Sequence, residues 1–159
     1  MEHQGVLFFF CGKMGAGKST KSKIIAAENH AVLVSEDEWL AAHYPSQINT
    51  FDDYIKFSNL IKPFVKMHVQ SLLNLGVNVV MDFPANTLKQ RAWFVSLCRE
   101  VNCRHELWFL DVTDEQCLSQ IAQRRIEFPE RAQFDTESVF HHVTQYFEAP
   151  TADEGLTIK

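Results

Sequence analysis

Apolar residues fall along this chain in short unbroken runs that alternate with longer stretches at helical spacing. Residues 6–10, Val-Leu-Phe-Phe-Phe, form a continuous apolar run, the pattern of a strand buried on both faces. Residues 18–29 read as a helix and residues 31–34 as a second strand. Residues 41–56 hold Tyr44, Pro45, Asn49, Phe51, Asp52, Asp53 and Tyr54 without a clear period, which predicts a loop with short helical turns. Phe57, Leu60, Ile61, Phe64, His68, Leu72 and Leu75 recur at helical spacing, with Gly76 as a natural stop and Pro63 beginning or kinking the regular part. Residues 77–81 predict a third strand ending at Asp82. Phe94, Leu97, Cys98 and Val101 mark a further helix, and residues 106–110 a fourth strand ending at Asp111. Thr113 and Gln116 have capping-box spacing and open a helix carrying Leu118, Ile121, Ala122 and Arg125. A polar stretch over 124–133 precedes a last helix with Val139, Phe140, Val143 and Phe147. Residues 149–155 read as a linker and 156–158 as a short fifth strand.

Repeated strand–helix alternation requires crossover connections, hence a mostly parallel sheet covered by helices on both faces. The expectation is a three-layer α/β fold with about five strands, and one domain over residues 1–159. Ligands in such sheets bind beyond the carboxyl ends of the strands. That rule lines up Gly12, Asp37, Asp82 and Asp111 on one edge of the molecule.

Composition narrows the function classes. Of 159 residues, 46% are hydrophobic and 22% charged, which excludes a disordered polar chain. The formal charge of −5 argues against an overall basic footprint for nucleic acid. The early apolar run is far shorter than the roughly 20 residues of a membrane span, so the chain reads as soluble and cytoplasmic, with no membrane partner. Cys11, Cys98, Cys103 and Cys117 include no CxxC pair, and are expected as reduced thiols in apolar surroundings. His141 and His142 are adjacent, point about 100° apart on a helix and read as surface or interface residues.

The specific chemistry lies between the first strand and the first helix. Gly12-Lys13-Met14-Gly15-Ala16-Gly17-Lys18-Ser19 matches G-x-x-x-x-G-K-[ST], with Thr20 following. The glycines are spaced G-x-x-G-x-G, which is not the dinucleotide order G-x-G-x-x-G. Without a Cβ, Gly12, Gly15 and Gly17 let the loop turn its amides inward, and the helix N-terminus adds to a concave anion site. Lys18 is placed to reach the β- and γ-phosphates, and the Ser19 hydroxyl to ligate Mg²⁺. Residues 3–27 contain four lysines and no acid, a positive local field on an acidic whole. The motif predicts a nucleoside triphosphate with Mg²⁺, ATP being the expected cofactor.

No Gly follows Asp82 closely, where the sequence is Phe-Pro-Ala-Asn, and no Asn-Lys pair occurs, which argues against a GTPase. A ring ATPase would need more chain. The sequence resembles the P-loop kinase-like ATP-binding family that groups zeta toxins, chloramphenicol phosphotransferase and the kinase domain of polynucleotide kinases. GKMGAGKST, SEDEW, VVMDFPANTLKQR, LDVTDEQCLSQIAQRR and FDTESVFHHVTQYFEAP carry the resemblance over nearly the whole chain.

The resemblance implies a kinase-like fold with a small lid at about 124–135, and transfer of the ATP γ-phosphate to a hydroxyl. It implies Asp37 as the general base facing the acceptor, although Ser35 followed by Glu36, Asp37 and Glu38 also reads as a capped helix start. Asp82, ending an apolar strand, would hold Mg²⁺ through water or orient the acceptor; Asp111 has the weaker claim of a turn residue. Arg124 and Arg125 stand where these kinases place lid arginines that steady the transferring phosphoryl, with Arg131 a lesser candidate. Arg91 lies in an Asn-Thr-x-x-x-Arg segment that would reach acceptor or phosphate. Polynucleotide kinases carry arginines where this chain has Glu36 and Leu40, which weighs against a nucleic-acid acceptor. The expected partner is a small-molecule acceptor, with a polynucleotide or nucleotide kinase and a non-catalytic nucleotide-binding regulatory module as alternatives.

Overall fold

A computed structural model describes residues 3–129, 132 and 134–159 of the chain. Four strands, β1 (Val6–Cys11), β2 (Val32–Ser35), β3 (Val79–Pro84) and β4 (Arg104–Phe109), form one parallel sheet in the order β2-β3-β1-β4. Six α-helices connect and cover them: α1 (Lys18–Glu28), α2 (Glu36–His43), α3 (Phe51–Asn74), α4 (Leu88–Val101), α5 (Asp114–Glu127) and α6 (Glu137–Thr144). The chain first builds outward to β2, returns through β3 beside β1, then crosses to β4 on the other side. β1 therefore sits at the reversal of strand order, where open α/β sheets place ligands.

The two faces of β1 explain its apolar run. Leu7, Phe9 and Cys11 enter the larger core, which includes Val65 and Val69 of α3 and Phe94 and Leu97 of α4. Phe9 stacks on Phe94 with ring centroids 4.5 Å apart. Phe8 and Phe10 face the other way, against Ile25 and Ala26 of α1 and Val80 of β3. A third cluster, Ala16, Cys117, Ile121 and Phe140, joins the loop after β1 to α5 and α6.

Three expectations need correction. Residues 51–56 are not loop: α3 begins at Phe51, capped by Thr50, whose side chain accepts from Asp53 N–H while the Asp53 carboxylate accepts from Thr50 N–H. The inward face of α3 is Ser58, Ile61, Val65, Val69 and Leu73, whereas Leu60, Phe64 and Leu75 are exposed. Pro63 lies inside this helix on its exposed side; the carbonyl it leaves unpaired belongs to exposed Asn59, where water can serve it. Third, the tail adds no full fifth strand. It makes a parallel bridge between Leu107 and Ile158, with Leu107 N–H donating to Thr157 and Lys159 N–H donating to Leu107.

The four cysteines are free, three of them buried and Cys103 half-buried, and His141 and His142 are exposed. Among the described residues no helix is long and apolar enough to cross a membrane.

Candidate functional site

The loop after β1 has the shape its glycines predict. Gly15 and Gly17 take φ of 83° and 96°, conformations that an L side chain rarely adopts. Gly15 is pressed against α5, so that a Cβ there would lie 2.6 Å from the Cys117 carbonyl oxygen and 2.8 Å from Ile121 Cγ1. A Cβ on Gly17 would enter open space instead, as expected of the wall of an anion cradle. Lys13 O accepts from Ala16 N–H at 3.0 Å and closes the loop on itself.

Helix α1 starts differently from the other α-helices described. Ser35, Thr50, Thr87, Thr113 and Thr136 each cap their helix through a side-chain oxygen. Gly17 stands at the N-cap of α1 with no capping side chain and no acid in the first turn. Its leading amides point out of a helix whose dipole favours a negative group, next to Lys18. Sequence, loop geometry and cap thus converge on phosphate.

Four charged groups gather at this sheet edge. Lys18, on the first turn of α1, has its pKa lowered by burial, against the pull of Asp82, Glu36, Cys11 and Asp37. Asp82, in β3, is raised by burial, which outweighs the lowering by Lys18 and by a hydrogen bond with Ser19. The Ser19 hydroxyl and the Asp82 carboxylate are therefore partners, an oxygen pair suited to Mg²⁺ directly or through water. A divalent cation would offset the burial that Asp82 suffers, so the residues present fit the metal that the motif implies.

Asp37 stands exposed on the first turn of α2, close enough to Lys18, Glu36, Tyr54 and Asp82 to act on their protonation. Its neighbour Glu36 is buried and accepts hydrogen bonds from Tyr54 Oη and from Ser58 Oγ at 2.7 Å. Burial raises the Glu36 pKa despite these two donors. The pair ties the start of α2 to α3 and orients the turn that carries Asp37. Trp39, Tyr44, Tyr54 and Phe57 are half-buried and pack against the larger core.

Of the other expected site residues, Arg91 is placed elsewhere: it is wholly buried, not turned toward a phosphate. Its guanidinium donates to Glu154 Oε1 at 2.8 Å, Ala85 O at 3.0 Å, Ala149 O at 3.4 Å and Cys11 Sγ at 3.7 Å. It pins α4 to the C-terminal segment, and burial pushes the Cys11 thiol up to about 11. Arg124 is engaged by Asp135, Arg125 is exposed, and Arg131 lies outside the described residues. Lys13 pairs with Asp114 at 2.7 Å, at the start of α5, and Met14 packs beside the cluster of Ala16 and Ile121. Thr20 and Asp111 are exposed.

One residue of the site was not singled out from sequence. Asn86 Oδ1 accepts the Gly12 N–H at 2.9 Å, while its backbone oxygen accepts from Glu148 N–H at 2.8 Å. Asn86 thereby fixes the entry of the phosphate loop to the C-terminal segment. Its local hints are its place just after a strand, in Phe-Pro-Ala-Asn, and at the head of the Asn-Thr-x-x-x-Arg segment.

This arrangement defines a P-loop kinase-like nucleotide-binding protein. Residues 7–150 match the family described as an AAA domain, and the chain belongs to that family. No curated protein matches it significantly. Among solved structures it is similar to Chaetomium thermophilum Kti12 in complex with ADP-AlF3, at 16% identity and TM-score 0.68, over 96% of this chain and 88% of that one. The Mycobacterium tuberculosis APS kinase CysC, in complex with AMPPNP and APS, matches at 16% identity and TM-score 0.64, over 94% and 85%. A sugar kinase from Janibacter matches at 17% identity and TM-score 0.61, over 98% and 84%. At these identities the likeness establishes the fold.

Proposed function

We propose that the chain is a Mg²⁺-dependent phosphotransferase that moves the γ-phosphate of ATP to a hydroxyl of a small molecule. The observation that carries this reading is the meeting of Lys18, Ser19, Asp82 and Asp37 at one sheet edge, beside an uncapped glycine loop. The amides of residues 13–15 and 17–20 bind the phosphates and Lys18 neutralises the β- and γ-oxygens. Ser19 and Asp82 hold Mg²⁺, which supplies charge neutralisation when bound. Asp37, exposed and facing the same loop, takes the proton of the acceptor hydroxyl. Arg125 serves as a lid cation in the segment at about 124–135. Little covalent chemistry is required of the protein, since positioning and charge stabilisation carry phosphoryl transfer.

A nucleic-acid acceptor is disfavoured by Glu36 and Leu40. Both are buried, and neither offers a cation to a terminal phosphate. A polynucleotide kinase reading would need those charges from elsewhere. A second reading, a nucleotide-binding regulatory module without transfer, is favoured by one observation: Arg124 is already bound by Asp135.

Acceptor-stimulated ADP release across a panel of hydroxyl-bearing metabolites and short oligonucleotides tests the proposal, with Asp37→Asn as control. Stimulation by a small molecule, lost in Asp37→Asn, supports it. Stimulation by oligonucleotides alone supports the polynucleotide kinase, and tight ATP binding without stimulation supports the module.

A further inference from the structure

Two thiols meet where α4 turns into β4, at the end of the sheet opposite the phosphate loop. Arg104, the first residue of β4, pairs with Val6 at the start of β1, whereas the loop follows the other end of β1. Helix α4 ends in a tight corner. Cys103 N–H donates to Cys98 O at 3.1 Å and Asn102 N–H to Arg99 O at 3.3 Å, with Asn102 left-handed at φ 56°. These two bonds make a Schellman motif, which commonly closes with an apolar contact between its outer positions. Here both outer positions are cysteine, and Cys103 packs against the core cluster that contains Cys98. With standard bond lengths, the 3.1 Å bond leaves the two Cα atoms less than about 7 Å apart, within reach of a disulfide.

The two thiols are unequal. Cys98 is 2% exposed, whereas Cys103 is half-buried and reachable from solvent. Hydrogen bonding to Cys98 lowers the Cys103 pKa from its ordinary value, against the burial that opposes it. The remaining cysteines have neither property: Cys11 and Cys117 are fully buried, and burial raises the pKa of each. An accessible, more acidic thiol beside a second thiol is the arrangement that favours selective, reversible oxidation.

We infer that Cys98 and Cys103 form a redox-active pair, which hydrogen peroxide converts to an intramolecular disulfide, Cys103 reacting first. The Cys103 thiolate attacks one peroxide oxygen. The S–O bond forms, the O–O bond breaks, and the departing hydroxide takes up the proton the thiol had lost, giving water. Cys103 is then a sulfenic acid, oxidised by the two electrons that the peroxide gains. The Cys98 sulfur next displaces that hydroxyl: the S–S bond forms, the S–O bond breaks, and the Cys98 proton leaves with the hydroxyl as a second water. Nucleotide binding plays no part in either step.

The test treats the reduced, folded full chain with a small excess of hydrogen peroxide, blocks the remaining thiols with iodoacetamide after denaturation, and maps the peptides by mass spectrometry. Trypsin cuts after Arg91, Arg99 and Arg104, so the bridge is read as residues 92–99 joined to residues 100–104 and separated again by dithiothreitol. Cys11 and Cys117 should remain alkylated. Cys98→Ser should trap the sulfenic acid on Cys103, where dimedone labels it. Cys103→Ser should slow thiol loss at least about tenfold, toward the rate of the buried cysteines. A wild type in which Cys98 and Cys103 both stay alkylated, or in which Cys103 passes to sulfinic acid without a bridge, overturns the pair. Dimedone labelling of Cys98 in Cys103→Ser as fast as that of Cys103 in Cys98→Ser removes the order of reaction and the inference with it. If a serine variant fails to fold, the wild-type map decides. The link formed in protein with an unchanged circular dichroism spectrum upholds the pair, and a link formed only in urea ends it.

Discussion

Gly15 and Gly17 provide a contrast that sequence position alone would not supply. Both have positive φ, so alanine at either position meets backbone strain of roughly 1–2 kcal/mol. Their surroundings differ. The new Cβ at residue 17 meets nothing within 4 Å, whereas at residue 15 it lands 2.6 Å from a helix carbonyl and 2.8 Å from the side chain of Ile121. Neither neighbour gives way easily, because Cys117 and Ile121 are buried in the cluster that holds α5 to the loop. Overpacking of this kind costs about 1–3 kcal/mol. The expected totals are about 1–2 kcal/mol for Gly17→Ala and roughly 2–5 kcal/mol for Gly15→Ala. For a domain of this length 1 kcal/mol moves the melting temperature by about 2–4 °C. Gly17→Ala should therefore melt roughly 2–8 °C below wild type, and Gly15→Ala roughly 4–20 °C below. Circular dichroism melts, paired with urea unfolding to check that the denaturant slope is unchanged, measure both. Equal losses in the two variants, or a larger loss at residue 17, would show that the loop is not seated against α5 as described.

Asp82→Asn should raise the melting temperature of the nucleotide-free protein while removing the effect of Mg²⁺ on ATP affinity. Burial raises the Asp82 pKa above its ordinary 3.8, so the stability it contributes is complete below that value and lost as pH rises through the raised one; the gain from asparagine should open with increasing pH, and a gain largest in acid would refute the sign. Arg91→Met should destabilise by about 3–5 kcal/mol, because it removes a fully buried guanidinium that serves Glu154 Oε1 and the Ala85 and Ala149 carbonyls, yet leave the folded protein binding ATP as wild type does; lost affinity with an unchanged melt would return Arg91 to the substrate site. The Thr157 amide, which donates to His105 Nε2 at 3.1 Å, should lose hydrogen-exchange protection as acid protonates that ring. Burial lowers the His105 pKa from 6.5, so the loss belongs below pH 6.5, and one already complete at pH 7 would contradict it.

The strands and the glycine-rich turn after β1 are legible in the sequence because their signals are local. The run of residues 6–10 is apolar because both faces of β1 are covered, and the loop's chemistry depends on eight adjacent residues. The start of α3 carries a weak local signal: Thr50 and Asp53 stand at capping spacing, but with Asp in the place usually held by Glu or Gln. Leu60 and Phe64 sit one position from Ile61 and Val65, so hydrophobic spacing over 57–75 identified a helix without fixing which stripe faces the core. The least legible features are non-local. Arg91 meets Glu154 across 63 residues and Gly12 meets Asn86 across 74. Arg124 finds Asp135 only after α5 ends and α6 begins, and a helix-end arginine pair gives no sign in sequence of which member will be engaged.

Calorimetric titration of Mg-ATP into wild type and Lys18→Ala addresses the phosphate cradle most directly. The loop geometry and the uncapped start of α1 predict saturable one-to-one binding by the wild type, weakened by at least about a hundredfold when the lysine is removed, a difference of roughly 2.7 kcal/mol. Equal affinity in the two proteins, or no binding by the wild type, would contradict the assignment of residues 12–20 to nucleotide phosphate.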